Sequence, residues 1–532
     1  FSMSDYEASY GAHRLVVPER FNFGRDVVDV FAEDPRRLAL IWCNDRGEER
    51  RFSFAEIRAR SNQVANWLAE RGVAKGERVV VMLPRVPEWQ IAMVACLKLG
   101  AVPIPCITML TARDVGYRVA HSGAVAAITT SEETGKFGAP ERFKARLAVG
   151  RPVAGWSAYA ETAACATDYA ACDLGAEEPA VMYYTSGSTG HPKGVCHAAR
   201  ALFAWRVSAQ YWLSLDGEDL MWCTADTGWS KAGTSILFGP WSRGSAVLFY
   251  DGPFDAAKRL QIIERYKVSV FCAAATELRR LILEDARPYD LSSLRLTVSA
   301  GESVNPEVLE AWTSMTKVPL LDGYGQTETL MTVLNYPGMA VKPGSMGKAL
   351  PGVATGVLTE AGVLAGPGSE GQLLIRLPNP QVMLGYWNDP QRTAESIITL
   401  EGVQWFKTGD NVRWDEDGYL FYLGRSDDII NSAGYRIGPQ EVENALIEHA
   451  AVRESAVIGV PDPERGEIVK AFVILHDPAS ASDRLAEELQ AHVKAMTAPY
   501  KYPRRIAFVD ELPKTISGKI QRAVLRRNET GR

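Results

Sequence analysis

The densest chemical signal in this chain of 532 residues is the segment Val181-Met-Tyr-Tyr-Thr-Ser-Gly-Ser-Thr-Gly-His-Pro-Lys-Gly194. An apolar stretch leads into hydroxyl residues and glycines, and a lysine follows them. Glycines let backbone N–H groups turn toward one point, hydroxyls add donors, and lysine adds positive charge. This combination predicts a loop that binds phosphate oxygens, although its spacing is not that of the G-x-x-x-x-G-K-[ST] loop. The binding residues are Thr185, Ser186, Gly187, Ser188, Thr189, Gly190 and Lys193.

On either side of this segment, helical patterns alternate with short apolar runs. Ser53-Phe-Ala-Glu56 has the spacing of a capping box and predicts the start of a helix that Gly72 ends. Apolar runs at 78–83 and 294–299 predict buried strands, and the pattern at 87–99 predicts a helix. This alternation favours an α/β fold with mostly parallel, doubly wound sheets.

Changes in composition predict how the chain divides into domains. From about residue 344 the sequence becomes rich in Gly and Pro with strand-and-turn patterns, which indicates a β subdomain at about 344–425. The last 105 or so residues have an apolar pattern of their own. We therefore predict a large N-terminal domain over 1–425 and a small, mobile α+β domain over 426–532. Residues 491–532 carry ten Lys/Arg and three Asp/Glu, typical of either a solvated tail or a surface that binds an anion.

Charge and hydropathy exclude several classes of protein. The net charge of −6 excludes a generally basic nucleic-acid binder. No uncharged run reaches the roughly 18 residues that a membrane helix needs, and the N-terminus lacks the pattern of a secretory signal peptide. We therefore expect a soluble, cytoplasmic protein with small-molecule partners, no nucleic acid and no membrane span; a homodimer is left open.

Six ordered motifs together resemble the signatures of the adenylate-forming (AMP-binding) superfamily, which includes acyl-CoA synthetases, non-ribosomal adenylation domains and luciferases. The resemblance extends from about residue 50 to about residue 525. In chain order the motifs are the segment at 181–194, Ser299-Ala-Gly301-Glu302-Ser303, Asp322-Gly323-Tyr324-Gly325-Gln326-Thr327-Glu328, Thr408-Gly-Asp410, Gly424-Arg425-Ser-Asp427-Asp428 and Pro513-Lys-Thr-Ile-Ser-Gly518-Lys519.

This resemblance implies an ATP-dependent acyl-CoA synthetase. A carboxylate attacks the α-phosphate of ATP to give an acyl-adenylate and pyrophosphate, and the thiol of CoA then displaces AMP. Both steps bring anions together, so we expect catalysis by charge neutralisation and positioning. The implied cofactor is Mg²⁺, with ATP, CoA and a carboxylic acid as substrates.

The resemblance also implies roles for the nucleotide-binding residues. The loop at 185–194 holds the β- and γ-phosphates, Thr327 contacts the α-phosphate, and Glu328 ligates Mg²⁺, which prefers oxygen ligands. Asp410 accepts both ribose hydroxyls and Arg425 supports the same sugar. The adenine lies between the segment Gly301, Glu302 and Ser303 and the face of Tyr324, which follows Asp322 and Gly323.

The C-terminal motifs imply a domain that alternates between two orientations about Asp427. In the first orientation Lys519 bridges the carboxylate and the α-phosphate during adenylation. In the second, the segment Ser432-Ala-Gly434-Tyr435-Arg436 faces the site. Gly434 then lines the tunnel for the pantetheine arm of CoA, Tyr435 lies beside it, and Arg436 contacts a phosphate.

The identity of the acid depends on two positions. Segments at 429–449 and 498–503 look most like medium-chain acyl-CoA synthetases, and Trp229 matches the entrance of their acyl pocket. Acetyl-CoA synthetases carry tryptophan at the position of Gly325, so a glycine there implies an acid larger than acetate. These residues do not separate a linear medium-chain acid from a branched, cyclic or aryl acid.

Other functions remain open at this point. An adenylation enzyme that loads a carrier protein would usually lie beside a carrier domain with a G-G-x-S site, which this chain lacks. An aryl-CoA ligase uses the same motifs. A luciferase-like oxidase or a binding protein without catalysis is disfavoured, because Lys193, Glu328, Asp410 and Lys519 are all present.

Overall fold

The computed structural model describes residues 1–138, 140–185, 191–301, 304–515 and 518–531. Its strands in chain order are β1 (Leu38–Asn44), β2 (Glu49–Ser53), β3 (Arg78–Met82), β4 (Val102–Pro105), β5 (Ala126–Thr130), β6 (Ala145–Val149), β7 (Ser157–Ala158), β8 (Pro179–Tyr184), β9 (Gly194–Ala198), β10 (Leu220–Cys223), β11 (Ala246–Asp251), β12 (Val270–Cys272), β13 (Leu296–Ala300), β14 (Leu320–Gln326), β15 (Leu330–Leu334), β16 (Lys348–Ala349), β17 (Thr355–Leu358), β18 (Leu364–Ala365), β19 (Glu370–Arg376), β20 (Gly385–Tyr386), β21 (Ile397–Leu400), β22 (Val403–Trp414), β23 (Leu420–Arg425), β24 (Ile430–Ser432), β25 (Tyr435–Ile437), β26 (Val452–Asp462), β27 (Gly466–Leu475) and β28 (Arg505–Phe508).

The helices follow the same chain order. They are α1 (Tyr6–Ala12), α2 (Asp29–Phe31), α3 (Phe54–Glu70), α4 (Pro87–Leu99), α5 (Ala112–Ser122), α6 (Ala199–Ala204), α7 (Arg206–Tyr211), α8 (Ser230–Ala232), α9 (Phe238–Ser242), α10 (Ala256–Tyr266), α11 (Ala275–Leu281), α12 (Pro306–Thr316), α13 (Pro390–Glu395), α14 (Pro439–Ile447), α15 (Asp483–Met496) and α16 (Arg522–Thr530), with π-helical turns at Gly24–Val28 and Gly233–Leu237.

The largest sheet has the strand order β16-β15-β14-β13-β12-β10-β11-β1-β2. Its central strands from β14 to β1 pair in parallel, while β15 and β2 are antiparallel. Parallel strands need crossover connections, and helices therefore cover the sheet. On one face Ile263 of α10 and Trp312 of α12 join Trp222 and Phe271 of the strands in an apolar cluster.

A second parallel sheet, β4-β3-β5-β6-β7, packs beside the first. Helix α4 is buried over its whole length and contacts both sheets. Its Trp89 ring lies 6.0 Å from that of Phe249 on β11, and its apolar residues cluster with Val79 and Val81 of β3. Such burial on every side explains why the 87–99 segment is mostly apolar. Its two charged residues are paired, Glu88 with Arg50 and Lys98 with Asp29.

Two antiparallel sheets complete the N-terminal part. A small sheet, β20-β9-β8, carries the chain that flanks the 185–193 segment. The β subdomain has the order β18-β17-β19-β22-β21, with β23 paired to β22 so that Asp410 lies opposite Arg425.

The C-terminal residues form a separate sheet, β25-β24-β27-β26, with β28 parallel to β27. Buried Glu443 on α14 accepts hydrogen bonds from the Arg522 guanidinium on α16 at 2.6 Å and from the Val457 N–H at 2.9 Å. Arg526 on α16 donates to the carboxylate of Asp428 at 2.6 Å. The last helix, α14 and the residue after Asp427 are thus joined by ion pairs; the division at 425/426 stays a prediction.

The fold class predicted from the sequence is confirmed. The capping box at Ser53 is present, with Ser53 Oγ accepting from the Glu56 N–H at 3.1 Å. Helix α3 ends at Glu70, two residues before Gly72, whose φ of +86° lies in the region that favours glycine. Within the described ranges, no helix is long and apolar enough to cross a membrane.

Candidate active site

The described parts of the motifs that precede Asp427 meet where the parallel strands of the large sheet end. Strand β13 ends at Ala300 and β14 at Gln326, and the Thr327-Glu328 pair follows directly. The β subdomain contributes Asp410 and Arg425 to the same place. Asp410 accepts hydrogen bonds from residues of β14 and pairs with Arg425. This edge is where open α/β sheets generally bind ligands.

The Asp410 carboxylate is the centre of one group of contacts. Only 4% exposed, it accepts hydrogen bonds from the Tyr324 hydroxyl, from Gln326 Nε2 at 2.5 Å and from Arg425 Nη1 at 3.1 Å. Tyr422 Oη lies 3.4 Å away. Burial, followed by the nearby carboxylate, raises the pKa of Tyr324 well above its usual value. Burial lowers the pKa of Arg425, but Asp410, Tyr422, Asp427 and Tyr324 together outweigh burial, and the net shift is upward.

Lys193 and Glu328 are joined through a tyrosine of the small sheet. Lys193 Nζ lies 4.7 Å from the ring centroid of Tyr386, whose hydroxyl donates to Glu328 Oε2 at 2.9 Å. Burial lowers the pKa of Lys193, and the Glu328 carboxylate opposes this shift. A cation, an aromatic ring and a carboxylate therefore line one wall of the site.

Thr185 and Lys193 pair across the base of the phosphate segment. The Thr185 N–H donates to the Lys193 carbonyl at 2.9 Å, and the Lys193 N–H lies 3.3 Å from Thr185 Oγ1. The predicted residues Ser186, Gly187, Ser188, Thr189, Gly190, Glu302 and Ser303 lie outside the described residues.

Thr327 is held by a buried histidine. His197 Nε2 donates to the Thr327 carbonyl at 2.7 Å, and the Thr327 hydroxyl lies 3.5 Å from Ser230 Oγ. His197 is fully buried on β9, and burial lowers its pKa to about 4. The imidazole is consequently neutral at physiological pH.

Asp322 and its neighbouring glycine pack into the interior below Tyr324. Asp322 Oδ2 accepts from the Val304 N–H at 2.9 Å, whereas Oδ1 has no hydrogen-bond partner in the part of the chain that the structure describes. A Cβ on Gly323 would lie 2.6 Å from Leu334 and 2.7 Å from Trp212, so only glycine fits there. Gly301 has a φ of +100° and open space around it.

The predicted acyl-pocket residues lie on two different elements. Trp229 packs against the apolar cluster of the second sheet, and the neighbouring Lys231 donates from Nζ to the Ala300 carbonyl at 3.0 Å. A Cβ on Gly325 would lie 2.1 Å from the Leu330 carbonyl oxygen. Glycine at 325 therefore permits the close β14–β15 contact, and this contact also explains its presence without a pocket.

The C-terminal site residues do not join this group. Arg436, predicted to contact phosphate, instead lies 3.4 Å from Glu360 of the β subdomain. Gly434 has a φ of +85° and open space around it, and Tyr435 stacks on Tyr500 with ring centroids 4.1 Å apart. Lys519 is exposed, and its N–H donates to Thr515 Oγ1 at 3.2 Å within its own loop.

Asp427, the predicted hinge residue, is largely exposed and lies 4.0 Å from Arg425 Nε. This position agrees with a connection that carries few contacts, but the hinge itself stays a prediction.

Sequence reasoning missed three residues of the site: His197, Tyr386 and Tyr422. His197 sits in the apolar strand Gly194-Val-Cys-His-Ala198, and a histidine within a buried strand is the one local signal that could have marked it. Tyr386 and Tyr422 carry no such signal, because their partners Glu328 and Asp410 come from other strands.

Comparison with known families identifies the chain. The model of the AMP-binding enzyme family matches residues 28–387, and that of the AMP-binding enzyme C-terminal domain matches residues 441–519. The chain belongs to the AMP-binding enzyme family.

Individual relatives agree with this assignment. A Mus musculus protein named acyl-coenzyme A synthetase ACSM3, mitochondrial, is 42% identical over 99% of this chain and 94% of its own length. A Brucella canis acyl-CoA synthetase structure is 34% identical with a TM-score of 0.73, covering 99% and 98% of the two chains. The anthranilate CoA ligase AuaEII, solved with anthranoyl-AMP, is 31% identical with a TM-score of 0.85, covering 96% and 98%.

These relatives confirm the predicted family and the predicted class of enzyme, an AMP-forming acid–thiol ligase. The prediction of a cytoplasmic location is wrong, because relatives from four mammals carry names that place them in mitochondria. Charge and the absence of a signal-like pattern do not report on the compartment of an enzyme.

The environment of Asp322 predicts how stability depends on pH. Burial raises the pKa of this carboxyl from 3.8 to about 8, so between these values the folded protein binds more protons than the unfolded chain. Its contribution to the free energy of unfolding is therefore fully present below pH 3.8 and is lost as pH rises toward 8. Asp322→Asn stays neutral throughout. Its melting temperature relative to wild type should increase from about pH 5.5 to about pH 8.5 in scanning calorimetry.

The exposed Asp168 supplies the control. Asp168→Asn should show the same difference from wild type at both pH values. An Asp322→Asn difference that does not change with pH would contradict the buried, uncompensated carboxyl.

Proposed function

We propose that this chain is an ATP-dependent acyl-CoA synthetase that joins a carboxylic acid larger than acetate to CoA through an acyl-adenylate. The products are acyl-CoA, AMP and pyrophosphate. The observation that carries this proposal is the meeting, at one sheet edge, of Asp410 with its donors and of Lys193, Tyr386 and Glu328. A nucleotide needs both a hydroxyl acceptor and a cationic phosphate site, and these two groups supply them.

Asp410 is proposed to accept the ribose hydroxyls. A carboxylate accepts several hydrogen bonds at once. Arg425 pairs with the carboxylate, and the Tyr324 hydroxyl bond fixes the orientation of the ring proposed to stack on adenine.

Lys193 and Thr327 are proposed to bind the phosphates on either side of the bond that breaks. Lys193 is half-buried beside Tyr386 and therefore acts as a charge in a region of reduced dielectric, where electrostatic contacts are stronger. Thr327 presents a hydroxyl donor whose backbone is fixed by His197. Neutralisation of charge at the α-phosphate favours attack by the carboxylate of the acid.

The residues at 327–328 also fit a magnesium ion. Glu328 is part-buried, and Tyr386 donates to one carboxylate oxygen, leaving the other for a hard cation. When bound, Mg²⁺ would neutralise phosphate charge. The protein's own part is to hold the Glu328 carboxylate in place through Tyr386.

The C-terminal residues are proposed to act in turn. With Arg436 on Glu360 and Gly434 in open space, the β24–β25 hairpin that holds Gly434 does not line the nucleotide site. Attack by CoA would require rotation about Asp427 that brings Gly434 and Tyr435 to the site and withdraws Lys519. Whether the chain forms a homodimer stays open. Light scattering of the protein as it elutes from a size-exclusion column gives its molar mass and tests this.

The class of acid is left to experiment. The anthranilate ligase neighbour keeps an aryl acid as an alternative to a linear or branched one. Loading of a carrier protein is a second alternative. Formation of a thioester with free CoA distinguishes the proposed function from it.

A substrate panel tests the function directly. AMP formation with CoA should be measured as kcat/KM for C2 to C10 acids, branched acids and benzoate. Each methylene buried in the pocket contributes about 0.8 kcal/mol, nearly fourfold, so kcat/KM should climb from acetate through butyrate and then level off or fall. A preference for acetate would contradict the proposed acid. Gly325→Trp is a poor probe here, because its Cβ would overlap the Leu330 carbonyl.

Lys519→Ala should separate the two half-reactions. Adenylation, measured by ATP–pyrophosphate exchange, should fall by about 100-fold or more, the scale of losing a transition-state charge contact. Attack of CoA on supplied acyl-AMP should change much less. Lys514→Ala, in the same loop but paired with Glu454, is the control and should spare both steps. Equal losses in both steps for Lys519→Ala would rule out domain alternation.

Gly434→Leu should spare adenylation and block thioester formation, because the side chain would fill the path of the thiol. Leucine at a positive φ is also strained. Gly402→Leu has a similar φ and equally open surroundings in a turn outside the site, so it reports strain alone. The tunnel assignment fails if Gly434→Leu makes acyl-CoA at the rate of Gly402→Leu.

A further inference from the structure

His197 lies at the junction between the phosphate segment and the Thr327-Glu328 pair. It follows Lys193 by four residues on β9, and its side chain is fully buried. The hydrogen bond from Nε2 to the Thr327 carbonyl, at 2.7 Å, crosses between two elements that are 130 residues apart in sequence.

The direction of this hydrogen bond is fixed by chemistry. A carbonyl oxygen only accepts, so Nε2 must carry the proton. Nδ1 has no hydrogen-bond partner among the described residues, so a second proton there would be buried without compensation. The environment of His197 therefore favours the neutral tautomer with its proton on Nε2.

The ring cannot turn away from Thr327. The Trp205 ring lies 5.0 Å from it at an interplanar angle of 81°, and the Tyr183 ring lies 6.2 Å away at 68°. Both are edge contacts that hold an imidazole in one orientation. Trp205 and Tyr183 are themselves buried.

The backbone of the pair is fixed at both residues. The Glu328 carbonyl accepts from the Met383 N–H at 2.9 Å, and the Thr327 carbonyl is held by His197. A displacement of the Thr327 backbone would move the Thr327 hydroxyl, which now lies 3.5 Å from Ser230 Oγ.

We propose that His197 is a positioning residue for adenylation, one whose Nε2–H fixes the Thr327 backbone so that the hydroxyl meets the α-phosphate as charge develops there. This inference rests on the proposed function, which assigns Thr327 to the α-phosphate. A small displacement of a positioned group lowers the rate of the chemical step more than it weakens ground-state binding. Loss of the His197 hydrogen bond should therefore lower kcat and change KM little.

Two substitutions at position 197 test the donor separately from the packing. His197→Phe keeps an aromatic ring and removes the donor, whereas His197→Gln places an amide N–H near the position of Nε2. His197→Phe should lower kcat of ATP–pyrophosphate exchange about tenfold, the scale of one positioned hydrogen bond. Its KM for ATP should change less than about threefold, and His197→Gln should recover kcat to within about threefold of wild type.

Phe238→Leu is the matched control. The buried Phe238 ring lies 5.5 Å from that of Trp205, so this change loosens the packing behind Trp205 and leaves the Nε2–H bond. A phenyl ring has no hydrogen-bonding group, so the change removes no hydrogen bond. Each rate is divided by the concentration of active sites, taken from the burst of adenylate formation, so that a smaller folded fraction does not count as a lower kcat. Phe238→Leu should have a lower melting temperature and keep its kcat.

Three outcomes would overturn the inference. These are a His197→Phe enzyme with wild-type kcat, a His197→Gln enzyme no faster than His197→Phe, or a Phe238→Leu enzyme as slow as His197→Phe. A wild-type protein that forms no adenylate with any acid in the panel would instead refute the proposed function.

Discussion

The buried carboxylate of Asp410 joins two parts of the fold that are far apart in sequence. It accepts hydrogen bonds from Tyr324 and Gln326 on the large sheet and from Arg425 at the end of β23. A carboxylate with so little exposure is costly unless opposite charge and donors compensate it. The β subdomain is therefore attached to the sheet edge through polar contacts that also fix the ring facing the nucleotide site. Loss of the carboxylate would disturb the walls of the site together with its proposed ligand contact.

The small sheet β20-β9-β8 performs a comparable task on the opposite side. Its strands β9 and β20 carry His197 and Tyr386, which hold Thr327 and Glu328 respectively. Lys193 lies against the same tyrosine ring. The groups expected to meet phosphate are thus oriented before any ligand arrives, and this is the condition under which fixed charges and donors lower a barrier most.

The sequence predicted whatever is encoded locally. The capping box at Ser53 and the buried helix α4 follow from the pattern of a few residues, and Lys193 and Asp410 follow from motifs. Contacts across the fold were not predictable, because nothing near His197 in sequence indicates Thr327. Gly325 shows the limit most clearly. Its lack of a side chain suggests an open pocket wall, but the Leu330 carbonyl lies where a Cβ would be, and only the pairing of β14 with β15 reveals it.

The ion pairs of the last helix, α16, bear on the order of the reaction steps. Arg522 and Arg526 of the last helix bind Glu443 and Asp428, so ion pairs join this helix to α14 and to the residue that follows Asp427. Under the proposed roles, Lys519 and Gly434 then move together as one rigid unit and cannot both be at the active site at the same time. Pyrophosphate would then have to be released before the thiol of CoA reaches the acyl-adenylate. An enzyme built in this way should obey an ordered scheme in which the nucleotide and the acid react before CoA gains access.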